Sequence, residues 1–279
     1  MPIYINKTLI PEIRFPGGEC HIALDNILQY ELDGYTKVYG KCTCKAFLYN
    51  SDDIMRLLLT IDAIRRISPK IRIKLEIPYF PYARQDRVCN YGEALSIRVM
   101  ADLINGLNCE SVLIHDPHSD VVGALVNNCR IEPIHNIIRF TSLGKFIKDR
   151  NYDLVSPDAG AEKKVRTTAS ILGRGAYYAY KSRNTLTGEI TSVRFDDDVL
   201  GKNLLIVDDI CDGGRTFIQL ADRLMHNGAV NVCLYITHGI FSKGLAILRP
   251  HLSHIYCYHT FLPYCDFDRD FLTILSKEN

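Results

Sequence analysis

Residues 205–217 carry the side chains in this chain that are best suited to chemistry. An apolar run ends at Asp208 and Asp209, a Gly-rich turn of residues 212–216 comes next, and a helix-like stretch follows. A helix N-terminus behind such a turn binds phosphate, because unpaired backbone N–H groups and the helix dipole converge on one anion. Two adjacent carboxylates suit the vicinal hydroxyls of a sugar. The segment therefore predicts a ribose-phosphate site, with a purely structural tight turn as the alternative.

A second unusual segment, residues 77–87, contains two prolines, three aromatic residues and two arginines. We expect a platform on which Arg84 stacks on a flat base while Gln85 and Asp86 make polar contacts. A stiff surface loop without a ligand is the alternative.

Two further turns carry candidate metal ligands. One contains His115, Asp116 and His118, and the other presents Asp158 among small residues between a strand and a helix. Imidazole and carboxylate groups at this density can bind a divalent ion. Each histidine can instead satisfy a loop carbonyl.

Two cations, Lys181 and Arg183, lie two residues apart at the end of a strand-like segment. On an extended backbone they point to the same side, where both can contact a polyphosphate. A solvated hairpin is the alternative reading.

Composition shows what kind of scaffold positions these turns. The chain has 279 residues, of which 47% are hydrophobic and 23% charged, and this composition is typical of one large or two ordinary globular domains. A formal net charge of +1 gives no reason to expect nucleic acid or an anionic membrane as partner. No apolar stretch is long enough to span a bilayer. The ten cysteines are scattered, and no secretory signal precedes them. We therefore expect free thiols in a reducing cytoplasm.

Strand-like and helix-like segments alternate along the chain, which predicts an α/β fold with largely parallel sheets. Two cycles of this pattern predict two similar domains, residues 1–145 and 146–279, with a helix-like stretch at 135–150 near the boundary. Expected strands lie at 38–48, 71–77, 111–115, 154–156, 176–180, 204–207 and 230–237, and expected helices at 52–67, 92–107, 162–172 and 216–227.

With these residues assembled, the chain resembles the ribose-phosphate diphosphokinase (phosphoribosyl pyrophosphate synthetase) family from Phe15 to about His238. The most specific motif is Pro-Tyr-Phe-Pro-Tyr-Ala-Arg-Gln-Asp-Arg at residues 78–87, and residues 155–160 and 207–212 are also close to the sequence pattern of the family. The sequences at residues 117–120 and 158–163 are more similar to those of a compact branch of the family seen in some bacteriophages.

The resemblance implies two tandem type I phosphoribosyltransferase-type domains, each with a mostly parallel central sheet flanked by helices. It implies transfer of the β,γ-diphosphoryl group of ATP to the C1 hydroxyl of ribose 5-phosphate, giving phosphoribosyl pyrophosphate and AMP, with Mg²⁺ as cofactor. It also implies a homodimer or homohexamer, in which one subunit completes the adenine site of its neighbour.

The resemblance also assigns roles to individual residues. For ATP it implies an adenine segment at Phe15 and Glu19 and a platform at Arg84, Gln85 and Asp86. It implies magnesium ligands at His118, which also contacts ATP, and at Asp158, with Asp116 nearby, and catalytic cations at Lys181 and Arg183. For the acceptor it implies carboxylates that bind the ribose diol at Asp208 and Asp209, and a loop that binds the 5′-phosphate at Asp212, Gly213, Gly214, Arg215 and Thr216.

Two departures from the family pattern bear on the acceptor. The phosphate loop usually reads Asp-Thr-Ala-Gly-Thr, whereas Gly213, Gly214 and Arg215 stand here, and Gly17 replaces a residue that is commonly polar. A more open loop with an arginine is compatible with ADP-ribose as an alternative acceptor. A simple phosphoribosyltransferase and a non-catalytic regulatory homologue are the remaining alternatives.

Overall fold

The computed structural model describes residues 2–24, 40–183, 190–195, 197–263 and 268–277, with backbone alone for 181–183 and 190–194. The chain divides into two compact units, Met1–Glu132 and Pro133–Asn279.

The first unit contains a sheet with strand order β2-β1-β5-β6-β7-β8. Strands β5 to β8 run parallel, and β1 is antiparallel to both β2 and β5. A short hairpin, β3 with β4, lies outside this sheet. The strands are β1 Ile3–Ile5, β2 Thr8–Leu9, β3 Ile13–Arg14, β4 Cys20–His21, β5 Lys41–Ala46, β6 Arg72–Ile77, β7 Ser111–His115 and β8 Cys129–Glu132, and the helices are α1 Ser51–Ile67, α2 Ser96–Gly106 and α3 Val121–Leu125.

The helices α1, α2 and α3, which are those among the described residues of this unit, share one face of the sheet. The crossovers through α1, α2 and α3 advance in one direction across the sheet, and right-handed connections then place their helices on the same side. Burial alternates accordingly along the strands: Cys42 and Cys44 are buried under the helices, while Lys41 and Thr43 are exposed on the other face.

Helix α1 has clear terminal signals. The Asn50 side chain accepts a hydrogen bond from the Asp53 backbone N–H at 2.9 Å. Acidic residues occupy the first turn and basic residues the last, which complements the helix dipole. Arg56 is buried and bridges Asp53 at 3.5 Å and Glu12 at 3.3 Å.

The second unit has an all-parallel sheet of order β10-β9-β13-β14-β15-β16 with a core on each face. Strands β11 and β12 form a separate two-stranded antiparallel sheet. The strands are β9 Tyr152–Ser156, β10 Ala176–Tyr178, β11 Tyr180–Arg183, β12 Ile190–Arg194, β13 Asn203–Cys211, β14 Asn231–Gly239, β15 His254–Thr260 and β16 Leu272–Ile274, and the helices are α4 Ile134–Arg139, α5 Ser142–Asp149, α6 Glu162–Leu172 and α7 Arg215–His226.

The domain boundary differs from the expected 145/146. The structure divides the chain after Glu132, so both α4 and α5 belong to the second unit. The reason is packing: Ile137 of α4 and Ile147 of α5 share a core cluster with the strand residues Leu154 and Leu205. The predicted α/β alternation with largely parallel sheets is confirmed.

Candidate functional site

The predicted adenine segment forms the tip of the β3–β4 hairpin. The Phe15 backbone N–H donates to the Glu19 carbonyl at 2.9 Å, and Gly18 takes a positive φ of 95° in the turn. Phe15 is 49% exposed, and Glu19 is exposed as well. Arg14 anchors the hairpin to the first turn of α1 through a 2.6 Å ion pair with Asp52. Two exposed side chains are thus presented on a fixed support.

The predicted ATP platform follows β6 as a compact loop. Pro81 and Ala83 are buried, whereas Arg84 and Gln85 are exposed. The Gln85 backbone N–H donates to the Tyr82 carbonyl at 2.9 Å, and Tyr82 has a φ of 62°. The buried residues hold the turn, and the two exposed polar side chains lie at the carboxyl end of the sheet.

Asp86 connects this loop to the loop that follows β7. A hydrogen bond from the Ser119 hydroxyl is the largest influence on the Asp86 carboxyl and lowers its pKa below the ordinary value. A 3.1 Å contact with the Arg87 guanidinium acts in the same direction. Asp86 therefore remains ionised while it ties two strand-end loops together.

The loop after β7 separates the predicted metal ligands by environment. Asp116 is 3% exposed and takes a φ of 37°, whereas His118 is exposed. His115, the third candidate, is buried, and its Nε2 lies 3.4 Å from Glu76 Oε1. Lys45 Nζ lies 2.8 Å from the same oxygen. His115 thus belongs to a polar network of the sheet, and Asp116 and His118 remain the candidate ligands of this loop.

In the second unit, Asp158 occupies the turn between β9 and α6. Its Oδ1 accepts hydrogen bonds from the backbone N–H groups of Gly160 at 3.0 Å and Ala161 at 3.2 Å. The Ser156 hydroxyl donates to the Asp158 carbonyl at 2.7 Å. These bonds fix the carboxylate at the carboxyl end of the sheet.

Asp208 and Asp209 lie within strand β13 and not beyond it, because the strand continues to Cys211. Successive side chains of a strand point to opposite faces, so the two carboxylates leave the sheet in different directions. Asp209 is 6% exposed, and its Oδ2 lies 3.3 Å from Lys164 Nζ of α6. The Asp209 backbone N–H donates to Asp208 Oδ1 at 2.9 Å.

The predicted phosphate loop joins β13 to the first turn of α7, which begins at Arg215. Gly214 is buried with a φ of 75°, and a Cβ there would lie 2.8 Å from Leu248 Cδ2, so any other residue at this position would be strained. At the start of the helix, Arg215 is exposed and Thr216 is half-buried. The first N–H groups of a helix have no partner inside it, so this turn directs donors toward an anion.

Lys181 and Arg183 fall on β11, whose backbone pairs with β12, with Lys181 opposite Val193. Their side chains lie outside the described part of the structure. The antiparallel pairing of the backbone is compatible with both readings, so the catalytic assignment and the solvated hairpin both stay predictions.

Asp116 and His118 in the first unit, and Asp158 in the second, each carry a donor group that fits a hard divalent cation. Within the described residues, no group of three or more His, Cys, Asp and Glu side chains gathers to enclose a metal ion. Mg²⁺ commonly retains several waters and uses one or two carboxylates together with substrate phosphates. The residues present therefore fit a metal that arrives with a phosphorylated substrate.

Sequence reasoning missed three residues near these sites. Ser119 bonds Asp86, Lys164 contacts Asp209, and the Lys243 Cγ lies 3.9 Å from the position of a Cβ on Gly213. Of the three, only Lys164 could have been recognised from the sequence. A lysine in the first turn of a helix has an unfavourable interaction with the helix dipole, and a nearby anion compensates for it.

The chain is similar to known proteins over most of its length. Residues 13–107 match the family model described as the N-terminal domain of ribose phosphate pyrophosphokinase. A ribose-phosphate pyrophosphokinase of Vibrio cholerae is 34% identical over 248 residues, which cover 88% of this chain and 75% of that protein. Ribose-phosphate pyrophosphokinase 2 of Saccharomyces cerevisiae is 32% identical over 216 residues, covering 75% of this chain and 66% of that protein. The match thus spans slightly less than two thirds of the yeast protein.

The fold has a close counterpart among solved structures. The phosphoribosylpyrophosphate synthetase from Mycobacterium smegmatis superimposes with a TM-score of 0.75 at 24% identity, covering 95% of this chain and 85% of that chain. The predicted fold class is thereby confirmed. Sequence identity above 30% over three quarters of a relative, together with the shared fold, establishes that this chain belongs to the ribose-phosphate pyrophosphokinase family.

Proposed function

We propose that the chain transfers the β,γ-diphosphoryl group of ATP to the C1 hydroxyl of ribose 5-phosphate, giving phosphoribosyl pyrophosphate and AMP. One observation carries this proposal: Asp208 and Asp209 lead through a glycine turn into the N-terminus of α7 at the carboxyl end of a parallel sheet. Open α/β sheets bind ligands at this end. The two carboxylates would bind the ribose diol, and the helix N-terminus that follows them would bind the 5′-phosphate of the same sugar.

The acceptor side of the reaction uses the second unit. The first N–H groups of α7 bind the 5′-phosphate, and the φ of Gly214 keeps the turn tight beneath it. The Asp209 carboxylate is oriented by Lys164 and accepts from a ribose hydroxyl. Fixing the sugar in this way positions its C1 oxygen, and positioning supplies much of the catalysis in phosphoryl-group transfer.

The ATP side uses the first unit. Arg84 stacks on the adenine, Gln85 makes a polar contact, and the ionised Asp86 keeps the loop in place through Ser119. Phe15 and Glu19, at the tip of an exposed hairpin, complete the adenine site of a second copy of the chain.

His118, Asp116 and Asp158 would hold Mg²⁺. The ion would supply positive charge that offsets the negative charge developing on the phosphoryl oxygens during transfer. Lys181 and Arg183 contribute positive charge at the transferring group.

The test is whether ATP is converted to AMP or to ADP. Purified protein with ATP, MgCl₂ and ribose 5-phosphate is expected to form AMP in proportion to the acceptor consumed, as measured by ion-exchange chromatography. ADP formation, or AMP formation that does not depend on the acceptor, would contradict the proposal.

ADP-ribose is a second candidate acceptor, favoured by a specific observation. Arg215 and Lys243 place two exposed cations beside the Gly213 turn, where they could contact a second phosphate on the 5′ side. Offering each acceptor at equal concentration with ATP and comparing kcat/KM from AMP release decides between them. A lack of turnover with ADP-ribose would remove this candidate.

The setting of the protein is also a proposal. We infer that it works in the cytoplasm as a homodimer or homohexamer. No helix in the described part of the chain has both the length and the apolar character needed to cross a membrane.

A further inference from the structure

A network of charged side chains attaches the β3–β4 hairpin to the first turn of helix α1. We call it the hairpin network; its members alternate in sign in the order Asp53, Arg56, Glu12, Arg14 and Asp52. Each successive pair is joined by an ion pair of 2.6 to 3.5 Å. The proposed reaction gives these five residues no role, although Phe15 and Glu19 at the tip of the same hairpin are assigned to adenine.

The inner end of the network is buried. Arg56 is 2% exposed and Asp53 is 1% exposed, and Asp53 Oδ2 also accepts a hydrogen bond from the Tyr49 backbone N–H at 3.0 Å. A guanidinium stays charged inside a protein, and a buried charge without a partner is costly. These contacts fix the direction of Arg56, whose Nη1 lies 3.3 Å from Glu12 Oε2 at the base of the hairpin.

The outer end of the network reaches the tip of the hairpin. The Arg14 guanidinium lies between the carboxylates of Glu12 and Asp52. Its Nη1 also donates a hydrogen bond to the Gly18 carbonyl at 3.0 Å. The Gly18 backbone N–H in turn donates to the Phe15 carbonyl at 2.8 Å. A continuous set of polar contacts therefore leads from helix α1 to a residue that the proposed function places against adenine.

The form of this attachment favours a fixed direction over strength. A guanidinium is planar, so its hydrogen bonds to several acceptors fix an angle as well as a distance. Exposed ion pairs contribute little to the free energy of unfolding. Within the hairpin, the Phe15 ring packs against His21 with ring centroids 5.4 Å apart, so the ring follows the strands when they move. The network thus determines where Phe15 points.

We propose that the hairpin network positions the tip of the hairpin and thereby sets the affinity for ATP. Glu12 and Arg14 are positioning residues, since they act through Phe15 and do not touch the nucleotide. The inference rests on the adenine contact proposed above for this hairpin and adds the charges on which that contact depends. A tip released from α1 adopts more orientations, and the cost of ordering it is then added to ATP binding but not to acceptor binding.

The test removes one carboxylate charge from the network and one from a matched ion pair elsewhere in the first unit. Glu12→Gln alters a side chain that is 42% exposed, and Glu110→Gln makes the same change in a 3.1 Å pair with Arg72. The dissociation constant for ATP is measured by equilibrium dialysis of the full chain with MgCl₂ and no acceptor. Glu12→Gln is expected to raise it about threefold or more, and Glu110→Gln is expected to leave it unchanged.

Binding of ribose 5-phosphate separates positioning from a general loss of structure. Glu12→Gln should bind it as the wild type does and should have an unchanged thermal unfolding temperature. Wild-type ATP affinity in Glu12→Gln, or an equal loss in Glu110→Gln, would overturn the proposal. Equal weakening of both ligands would overturn it as well. A wild type that binds ATP without forming AMP would refute the proposed reaction, and the same titrations would still decide on the network.

Hydrogen exchange measures the hairpin itself, and a second variant secures the result. The Phe15 and Gly18 backbone N–H groups close the hairpin, so its release from α1 should speed their exchange. We expect faster exchange in Glu12→Gln and in Arg14→Met, which removes the contact with Gly18, but not in Glu110→Gln. Wild-type exchange in both network variants would overturn the positioning role. If Glu12→Gln fails to fold, Arg14→Met decides by exchange and by ATP affinity.

Discussion

The contact between Lys164 and Asp209 is the residue-scale feature that bears most directly on acceptor binding. Asp209 is almost fully buried, so its direction depends on its partners, and Lys164 Nζ approaches it at 3.3 Å. A lysine that holds the carboxylate without touching the reacting atoms is a positioning residue. Its loss should therefore change binding of the ribose more than the rate of the chemical step.

We predict that Lys164→Ala raises the KM for ribose 5-phosphate about tenfold or more, the value of a charged hydrogen bond, with a smaller change in kcat. Lys164→Arg should recover most of the loss. The matched control is Lys163→Ala, which removes an exposed lysine from the same helical turn. Equal effects of the two alanine substitutions would contradict the positioning role.

The hydrogen bond from Ser119 to Asp86 gives a prediction in pH. Because this bond lowers the pKa of the Asp86 carboxyl, the stabilisation is present above the ordinary carboxyl pKa and is lost as pH falls through the lowered value. Ser119→Ala should therefore raise the pKa of Asp86 and move the acid loss of stability to higher pH. Carboxyl-carbon NMR titration measures the shift, and an unchanged Asp86 pKa would disprove the link.

At the scale of elements, the turn between β13 and α7 depends on one glycine. Gly214 has a φ of 75°, and a Cβ there would lie 2.8 Å from Leu248 Cδ2. Gly214→Ala should lower the free energy of unfolding by about 1–3 kcal/mol. Gly213→Ala is the control, since the nearest atom to its Cβ is Lys243 Cγ at 3.9 Å. Urea unfolding that ranks Gly213→Ala as the more damaging change would refute this reading of the turn.

The position of α4 and α5 yields a second element-scale prediction. Ile134, Ile137 and Ile138 of α4 and Leu143 and Ile147 of α5 are buried in the second unit. A fragment of residues 133–279 should unfold cooperatively on heating, whereas residues 146–279 should not, because that fragment lacks four of these five side chains. Cooperative unfolding of the shorter fragment would support the boundary expected from sequence.

The sequence predicted those strands and helices whose bounds depend on neighbouring residues alone. Residues 111–115 and 162–172 have the expected bounds as strand and helix. The helix expected from residue 92 begins at Ser96 instead, because Glu93 accepts from the backbone N–H groups of Cys89 and Asn90 and closes a turn. Strand β13 extends beyond its apolar residues, because its pairing with β14 continues past Asp208.

At the scale of the whole molecule, side-chain contacts between distant segments were beyond prediction from sequence. Lys164 and Asp209 are 45 residues apart, and only the packing of α6 beside β13 brings them together. The motif at residues 78–87 and the Gly-rich turn could be predicted, because each is a contiguous segment. The packing that assigned α4 and α5 to the second unit also joins residues far apart in the chain.

The cysteines give a prediction for the whole chain. The nine cysteines within the described residues are free thiols. Burial raises the pKa of Cys42 to about 12 and that of Cys109 to about 11, whereas Cys89 is exposed. Iodoacetamide at neutral pH should modify Cys89 well before Cys42 or Cys109, as read by peptide mass spectrometry. Equal rates in the folded protein would contradict the packing of the first unit.

The central claim is that one event moves two phosphoryl groups from ATP to a ribose phosphate. Phosphorus-31 NMR of a reaction containing the protein, ATP, MgCl₂ and ribose 5-phosphate tests it most directly, because both products are identified in one spectrum. We predict AMP together with a new diphosphate spin pair on the sugar, in equal amounts. ADP with a sugar monophosphate, or AMP with free inorganic diphosphate from the start, would contradict the claim.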